Sequence, residues 1–220
     1  MKKIFTFLLV AFSFISFSLR AQLPFHDGFE SDNLNNWVVS GNTSINYSVA
    51  MEGLFCFEGN DSYEIKKTFT PITNQALSID FSMRAGQTNT NAVEFHVKDQ
   101  TDKLILTLFF QYTGFLMAYD GSTAVELTGY EQETWYNIHI SLNQNSRTYS
   151  VNIDDIQLAQ GLSYQDDAAD LPTSVSFRST SAQSTGYVDN FTLDVDKEKD
   201  ALMAFYTSMG GESWTTATNW

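Results

Sequence analysis

A single cysteine, Cys56, stands among 220 residues, so no disulfide can form within the chain. Its neighbours Leu54, Phe55 and Phe57 read as apolar packing. Nothing electropositive stands nearby to activate the thiol. Prolines number three, at positions 24, 71 and 172, all where strands should begin or loops should run. Basic residues are scarce, 12 Lys and Arg against 26 Asp and Glu, for a formal net charge of −14. That field repels nucleic acid and anionic membrane surfaces, and it is compatible with divalent cations and neutral polymers. Long apolar runs are missing too. Residues 4–17 fall short of the roughly 20 that a membrane-spanning helix needs, and the run at 104–110 is broken by Gln111, Thr113 and Gly114. The three histidines, His26, His96 and His139, lie on separate segments without the spacing of a transition-metal site. There is no G-x-S-x-G elbow and no glycine-rich phosphate loop. Up to residue 195 there is no helical periodicity of useful length, no internal repeat and no low-complexity tract.

What is present begins with a leader. Lys2 and Lys3 precede an apolar stretch, and Ala21 supplies a small residue for cleavage. Residues 1–21 are expected to be a signal peptide, making the protein secreted or cell-surface, with no membrane insertion of the mature chain. Losing Lys2, Lys3 and Arg20 makes the net charge still more negative.

From there the chain alternates. Leu77, Ile79, Phe81 and Met83 share one strand face and Ser78, Asp80, Ser82 and Arg84 the other. The same period-2 pattern marks 93–98, 136–142, 149–153 and 175–177. Residues 104–110 are apolar on both faces except Thr107, as in a strand covered on both sides. Turn chemistry separates the segments at 60–61, 86–91, 111–114, 120–121 and 143–146. About a dozen short strands so spaced predict an all-β, antiparallel sandwich over 22–195. Beyond it, residues 196–220 should open with a short helix, on the spacing of Ala201, Leu202, Phe205, Tyr206 and Met209 and the stop at Gly210 and Gly211.

FHDGFESDNLNNW at 25–37 and GYVDNFTL at 186–193 carry a resemblance. Together with 134–140 and 149–155, they resemble the opening and closing motifs of secreted jelly-roll domains of the concanavalin A-like lectin/glucanase type. The segment from 200 to 220 resembles the N-terminal cap that precedes leucine-rich repeats, here without the repeats. The first resemblance implies a structural calcium ion, Ca2+, held by Asp189 and Glu30, with Asp27 as a further ligand. Alternation points the same way for one of them. If Tyr187, Asp189, Phe191 and Leu193 share the inward face, Asp189 is a carboxylate aimed at the core and needs a cation or several donors. The other reading is that Asp189 accepts backbone N–H bonds at a sheet margin, with no metal.

Glucanases of this type carry paired carboxylates on one strand, close enough to flank a glycosidic bond. No such pair occurs here. Glu94 with His96, Glu131 with Glu133, and Asp194 with Asp196 each read as solvated positions, so no catalytic residues are expected. A binding module needs only aromatic faces and a few orienting polar groups. Tyr112, Tyr119 and Tyr130 flank turn signals beside Gln111, Asp120 and Glu131 and are the candidate ligand-binding residues. Trp37 and Trp135 are assigned to packing. The expected function is noncatalytic binding or adhesion to a glycan or glycoprotein, with a possible protein partner for the missing repeats. A glycoside hydrolase with a divergent site and a passive spacer are the alternatives.

Overall fold

The structure is a computed structural model that describes residues 23–73, 75–196 and five positions between 202 and 209. The leader at 1–21 and most of the segment after 196 lie outside the described residues. Of the latter, Leu202, Phe205, Tyr206 and Ser208 are helical, and the Met209 amide donates to the Phe205 carbonyl. The cap resemblance otherwise falls outside what is described.

Among the described residues thirteen strands follow in chain order: β1 (Phe25–Asp27), β2 (Val38–Asn46), β3 (Cys56–Thr68), β4 (Leu77–Ala85), β5 (Glu94–Asp99), β6 (Leu104–Gln111), β7 (Phe115–Asp120), β8 (Thr123–Gly129), β9 (Trp135–Asn143), β10 (Thr148–Ile153), β11 (Ile156–Ser163), β12 (Pro172–Ser179) and β13 (Thr185–Val195). Every pairing is antiparallel, in the order β11-β10-β9-β4-β13-β3-β12-β5-β6-β7-β8, with β1 added on β13 and β2 on β3. The expected all-β jelly-roll-like sandwich is what forms.

One strand makes the sandwich possible. The first part of β3, Phe57 to Asn60, pairs with β13, and its second part, Tyr63 to Thr68, pairs with β12. Between them Asp61 takes a left-handed φ of 57°. The asparagine and aspartate at 60–61 therefore bend one long strand where a turn between strands was expected. This splits the order into a first leaf (β11, β10, β9, β4, β13) and a second leaf (β12, β5, β6, β7, β8). The far edges also meet. The Gly121 amide donates to the Ser163 carbonyl at 3.2 Å, and the Ser163 amide to Asp120 Oδ1 at 2.8 Å.

Alternation decides what fills the space between the leaves. Leu77, Ile79, Phe81 and Met83 from β4 face Phe95 and Val97 from β5, all buried. Phe81 lies 4.5 Å from Phe95 and 5.1 Å from Phe177, ring centre to ring centre, joining the two leaves. Each such ring contributes about 1.5–3 kcal/mol when fully buried. Trp37 packs on Phe191 at 5.3 Å, as its assignment to packing requires. Cys56 is buried, and burial pushes its thiol up to about 12.

Candidate functional site

The outer face of the second leaf carries polar side chains that are nevertheless out of solvent. On β5 the residues opposite Phe95 and Val97 are Glu94, His96 and Lys98, and on β12 they are Ser174, Ser176 and Arg178. Register sets them in rows across the leaf. Arg178, Glu94, Phe109 and Met117 form one row; Ser176, His96 and Thr107 form the next. His96, Thr107, Ser176 and Phe109 are each less than 8 % exposed, yet none faces the space between the leaves. This face is therefore a recess. A cleft of about 220 Å³ opens there, with Asn91, Glu94, His96 and Thr107 on the polar side and Phe109 and Tyr119 on the aromatic side. The two rings stand 5.9 Å apart.

Electrostatics fix the floor. Burial works against charge on Glu94, but His96, Arg178 and Asn91 outweigh it and hold the carboxyl below its usual value. His96 Nε2 lies 3.2 Å from Glu94 Oε2, and Arg178 Nε lies 4.0 Å from the same oxygen. With Glu94 ionised, the Nε2–H donates to it. His96 Nδ1 is then an acceptor in the neutral ring and a donor in the charged one. That atom is buried without a hydrogen-bond partner in the protein, as is Arg178 Nε, whose contact with Glu94 is a longer ion pair. Orphaned buried polar atoms cost about 1–3 kcal/mol each, so their grouping at a cleft marks a place prepared for a hydrogen-bonding ligand.

The aromatic side is also held in place. The Tyr149 hydroxyl donates to the Tyr119 carbonyl and accepts from the Tyr119 amide, fixing that strand end from the core side. Of the three expected ligand-binding tyrosines, Tyr119 lines the cleft. Tyr112 is 60 % exposed, and its amide donates to Asn91 Oδ1 at 3.1 Å, which ties it to the rim. Tyr130 corrects the expectation. It is 7 % exposed, its ring centre is 4.5 Å from that of Phe110, and its hydroxyl donates to the Gln111 carbonyl. A turn signal beside an aromatic residue does not tell which way the ring points, and here it points into the core. A second correction concerns Glu94 and His96, which are not a solvated pair. Glu131 and Glu133, by contrast, are exposed on the turn before β9.

The three acids expected to hold calcium lie at the other leaf. β13 carries a bulge between Asp189 and Thr192, with Asn190 at a φ of 51°. The extra residue reverses parity. Val188, Phe191 and Leu193 face the core, while Asp189 pairs opposite Ser82 on the outer side. Asp189 is therefore buried, but beneath the loop at 47–55 and not toward the core. Its Oδ2 accepts from the Met51 and Glu52 amides at 2.9 and 3.2 Å, and its Oδ1 from the Asn190 amide at 2.8 Å. Glu30 holds the same loop further on, accepting from the Leu54 and Phe55 amides at 3.0 Å each. Asp27 serves another centre, accepting from the Trp37 indole, the Asn36 amide group and the Phe29 amide. Burial, and after it the charge of Glu30, push the Asp189 carboxyl up, while its three backbone donors pull the other way. The oxygens are hard ligands of the kind calcium takes, but each oxygen of Asp189 and Glu30 already meets an N–H. Among the described residues no three Asp, Glu, His or Cys side chains gather as a metal site. The set as arranged does not fit the ion.

A second groove, of about 300 Å³, crosses the outer face of the first leaf. Its polar groups satisfy one another: His139 Nδ1 with Asp80 Oδ1 at 2.7 Å, His26 Nδ1 with Thr192 Oγ1 at 2.9 Å, and Asn190 Nδ2 with Glu52 Oε2 at 3.2 Å. That contrast favours the second leaf as the site.

Several solved structures share this architecture. A sialidase superposes with a TM-score of 0.64 at 15% identity, covering 88% of this chain and 21% of its own. The chain thus spans about a fifth of that enzyme's length. The cellulose induced protein Cip1 gives a TM-score of 0.57 at 16% identity, covering 77% of this chain and 96% of its own. The globular domain of T. cruzi calreticulin gives 0.56 at 14% identity, covering 84% and 93%. Likeness at such identities establishes the fold and nothing more. No curated protein matches the chain in sequence. The sialidase-like, CBM domain family matches residues 43–192, more than half of the chain, a span that holds the whole recess from Asn91 to Arg178. On that match the chain belongs to the sialidase-like family of carbohydrate-binding module domains.

Proposed function

We propose that the protein is a noncatalytic glycan-binding module whose binding site is the recess on the second leaf. The observation that carries this reading is the unpartnered His96 Nδ1, buried beside an ionised Glu94 in the cleft that Phe109 and Tyr119 also line. Sugar hydroxyls both donate and accept, so one ring can satisfy His96 and Glu94 together while its C–H face lies on an aromatic wall. Nothing in the recess offers a second carboxylate across from Glu94, which double-displacement or inverting hydrolysis needs.

The test is retention of the chain on insoluble and immobilised polysaccharides, with the supernatant assayed for released reducing sugar. Retention without release, lost in His96→Ala and Tyr119→Ala variants that melt like the wild type, is the expected result. Release of sugar would replace the binding reading with that of a divergent hydrolase. Absence of retention on every polymer would favour the passive spacer.

Secretion or surface display, which rests on the leader at 1–21, and adhesion and a leucine-rich-repeat cap after the jelly-roll module, which rest on the sequence resemblances, complete the proposal. Calcium at Asp189 and Glu30 is a separate proposal. It is supported by the repulsion between these two carboxylates, which a cation would relieve, and it requires the 51–55 loop to release their N–H bonds. Equal melting of the wild type with calcium and with chelator would reject it.

A further inference from the structure

Resting on the glycan-binding reading, we propose that the recess is one compartment of a longer groove that binds along an uncharged oligosaccharide chain, spanning several sugar units.

Two compartments adjoin on this side of the molecule. The recess at His96 shares Leu104 and Gln165 with a larger one of about 740 Å³ that runs past Tyr164 and Asp166 to the turns at 102–103 and 121–122. Ligand sites occupy roughly 300–1,000 Å³, so the recess of about 220 Å³ is too small alone and the larger compartment is not. Gln165 stands at the junction and is fixed there. Its amide donates to the Ile105 carbonyl at 2.8 Å, and its Oε1 accepts from the Thr107 hydroxyl at 2.7 Å. A ligand contacting His96 therefore meets Gln165, which lines both compartments.

The far compartment carries its own marker. Tyr164 is 4 % exposed, lines this compartment, and its hydroxyl has no partner in the protein. The ring is held by the Arg147 guanidinium, 4.9 Å from its centre, and Arg147 in turn donates to the Asp167 carbonyl at 2.6 Å. Asp99 secures both banks. It accepts from the Thr101 and Lys103 amides on one side and from the Asp170 amide on the other. These contacts build a rigid channel with an orphaned hydrogen-bonding group at each end.

Charge selects the class of chain. Asp102, Asp166 and Asp167 line the far compartment, and the cations near them are already engaged: Lys103 gives its ammonium to the Ala168 carbonyl at 3.0 Å, Arg147 its guanidinium to the Asp167 carbonyl, and Lys66 and Lys98 stand 3.3 and 4.0 Å from Asp102. With those cations engaged and a net charge of −14 over the chain, a polyanionic chain approaches against the field of the protein. Hydroxyl-rich, uncharged units meet no such barrier.

Isothermal titration with β-1,4-linked gluco-, galacto- and manno-oligosaccharides, from disaccharide to hexasaccharide, tests this on the intact chain, beside an oligogalacturonide series. The expected result is affinity that rises with length, by roughly tenfold or more from disaccharide to hexasaccharide in the series that binds. Tyr164→Phe should lose about tenfold for the hexasaccharide and nothing for the disaccharide. Equal affinity for disaccharide and hexasaccharide in the wild type would overturn the groove while leaving the recess as a binding site. Tighter binding of the oligogalacturonides would overturn the charge argument. No binding by any series would overturn the glycan-binding reading itself.

Discussion

Replacing Asp189 with alanine tests the reversed parity of β13 directly. In the structure this carboxylate is wholly buried and receives three backbone N–H groups, two of them from the loop between β2 and β3. Removing it leaves three donors without an acceptor, at about 1–3 kcal/mol each where water cannot replace it. Part of that is returned, because the fold no longer holds a charge that burial and Glu30 both oppose. The loop is also half open to water, since Met51 is 41 % exposed. The expected net loss is about 2–3 kcal/mol, and at roughly 2–4 °C per kcal/mol for a domain of this size the melting temperature falls by about 4–12 °C. Thermal denaturation followed by circular dichroism reads the loss. Limited proteolysis should then cut within 47–55 in the variant before the wild type is touched. Glu30→Ala acts on the same loop, so the double variant should lose less than the two single losses together. An Asp189→Ala protein that melts with the wild type would refute the network, and would mean that the side chain is solvated.

Three further outcomes follow from individual environments. The hydrogen bond to Asp80, partly opposed by burial, raises the His139 pKa above its unfolded value of 6.5. The stability it adds is therefore full below that value and is lost as pH rises through the folded value, so the melting temperature of the wild type should drop across this window and that of Asp80→Asn should not. Asp99 has the opposite sign. Burial opposes its charge, but hydrogen bonds from Asp170, Thr101 and Lys103 outweigh it and lower its pKa below 3.8. Its contribution is present above that value and lost in stronger acid, so denaturation of wild type and Asp99→Asn should converge at low pH. Tyr130→Ala should cost about 3–5 kcal/mol in chemical denaturation, and Tyr112→Ala less than about 0.5 kcal/mol; similar losses would contradict the burial of one and exposure of the other.

Much of this fold could be read from period-2 alternation, because a strand with one face on a core has little choice about which side chains go in. Residues 77–83 and 138–142 follow that rule on their inward face: Leu77, Ile79, Phe81, Met83, Ile138, Ile140 and Leu142 are all buried. The rule fails where the chain gains a residue. Counting from Phe191 back to Asp189 assumes an unbroken pleat, but Asn190 in the left-handed region makes a bulge that turns Asp189 outward. Asp61 hides the bend of β3 in the same way, since a left-handed residue reads equally as a turn or as a kink. The recess was least legible. Glu94 and His96 alternate like any solvent-facing pair, and it is distant chain, with Gln165 bonded to Thr107 beside them, that helps take them out of water. That placement depends on residues some seventy positions apart, which no local pattern records.

The cost of the recess is the strongest reason to regard it as functional. Four buried side-chain atoms among the described residues lack a hydrogen-bond partner in the protein: His96 Nδ1, Gln144 Oε1, Tyr164 Oη and Arg178 Nε. Gln144 sits away from the groove, its amide nitrogen donating to the Gln75 carbonyl. The other three stand in or beside the groove of the second leaf. At about 1–3 kcal/mol apiece, three such atoms consume a large share of the 5–15 kcal/mol by which domains are stable. The first leaf shows that the same chain can avoid this, since His139, His26 and Asn190 on its outer groove each find a partner. A fold that satisfies one polar face and leaves the other unsatisfied has its unmet hydrogen bonds where a ligand can complete them, and hydroxyl groups on a sugar chain have the reach and the donor–acceptor duality to do so.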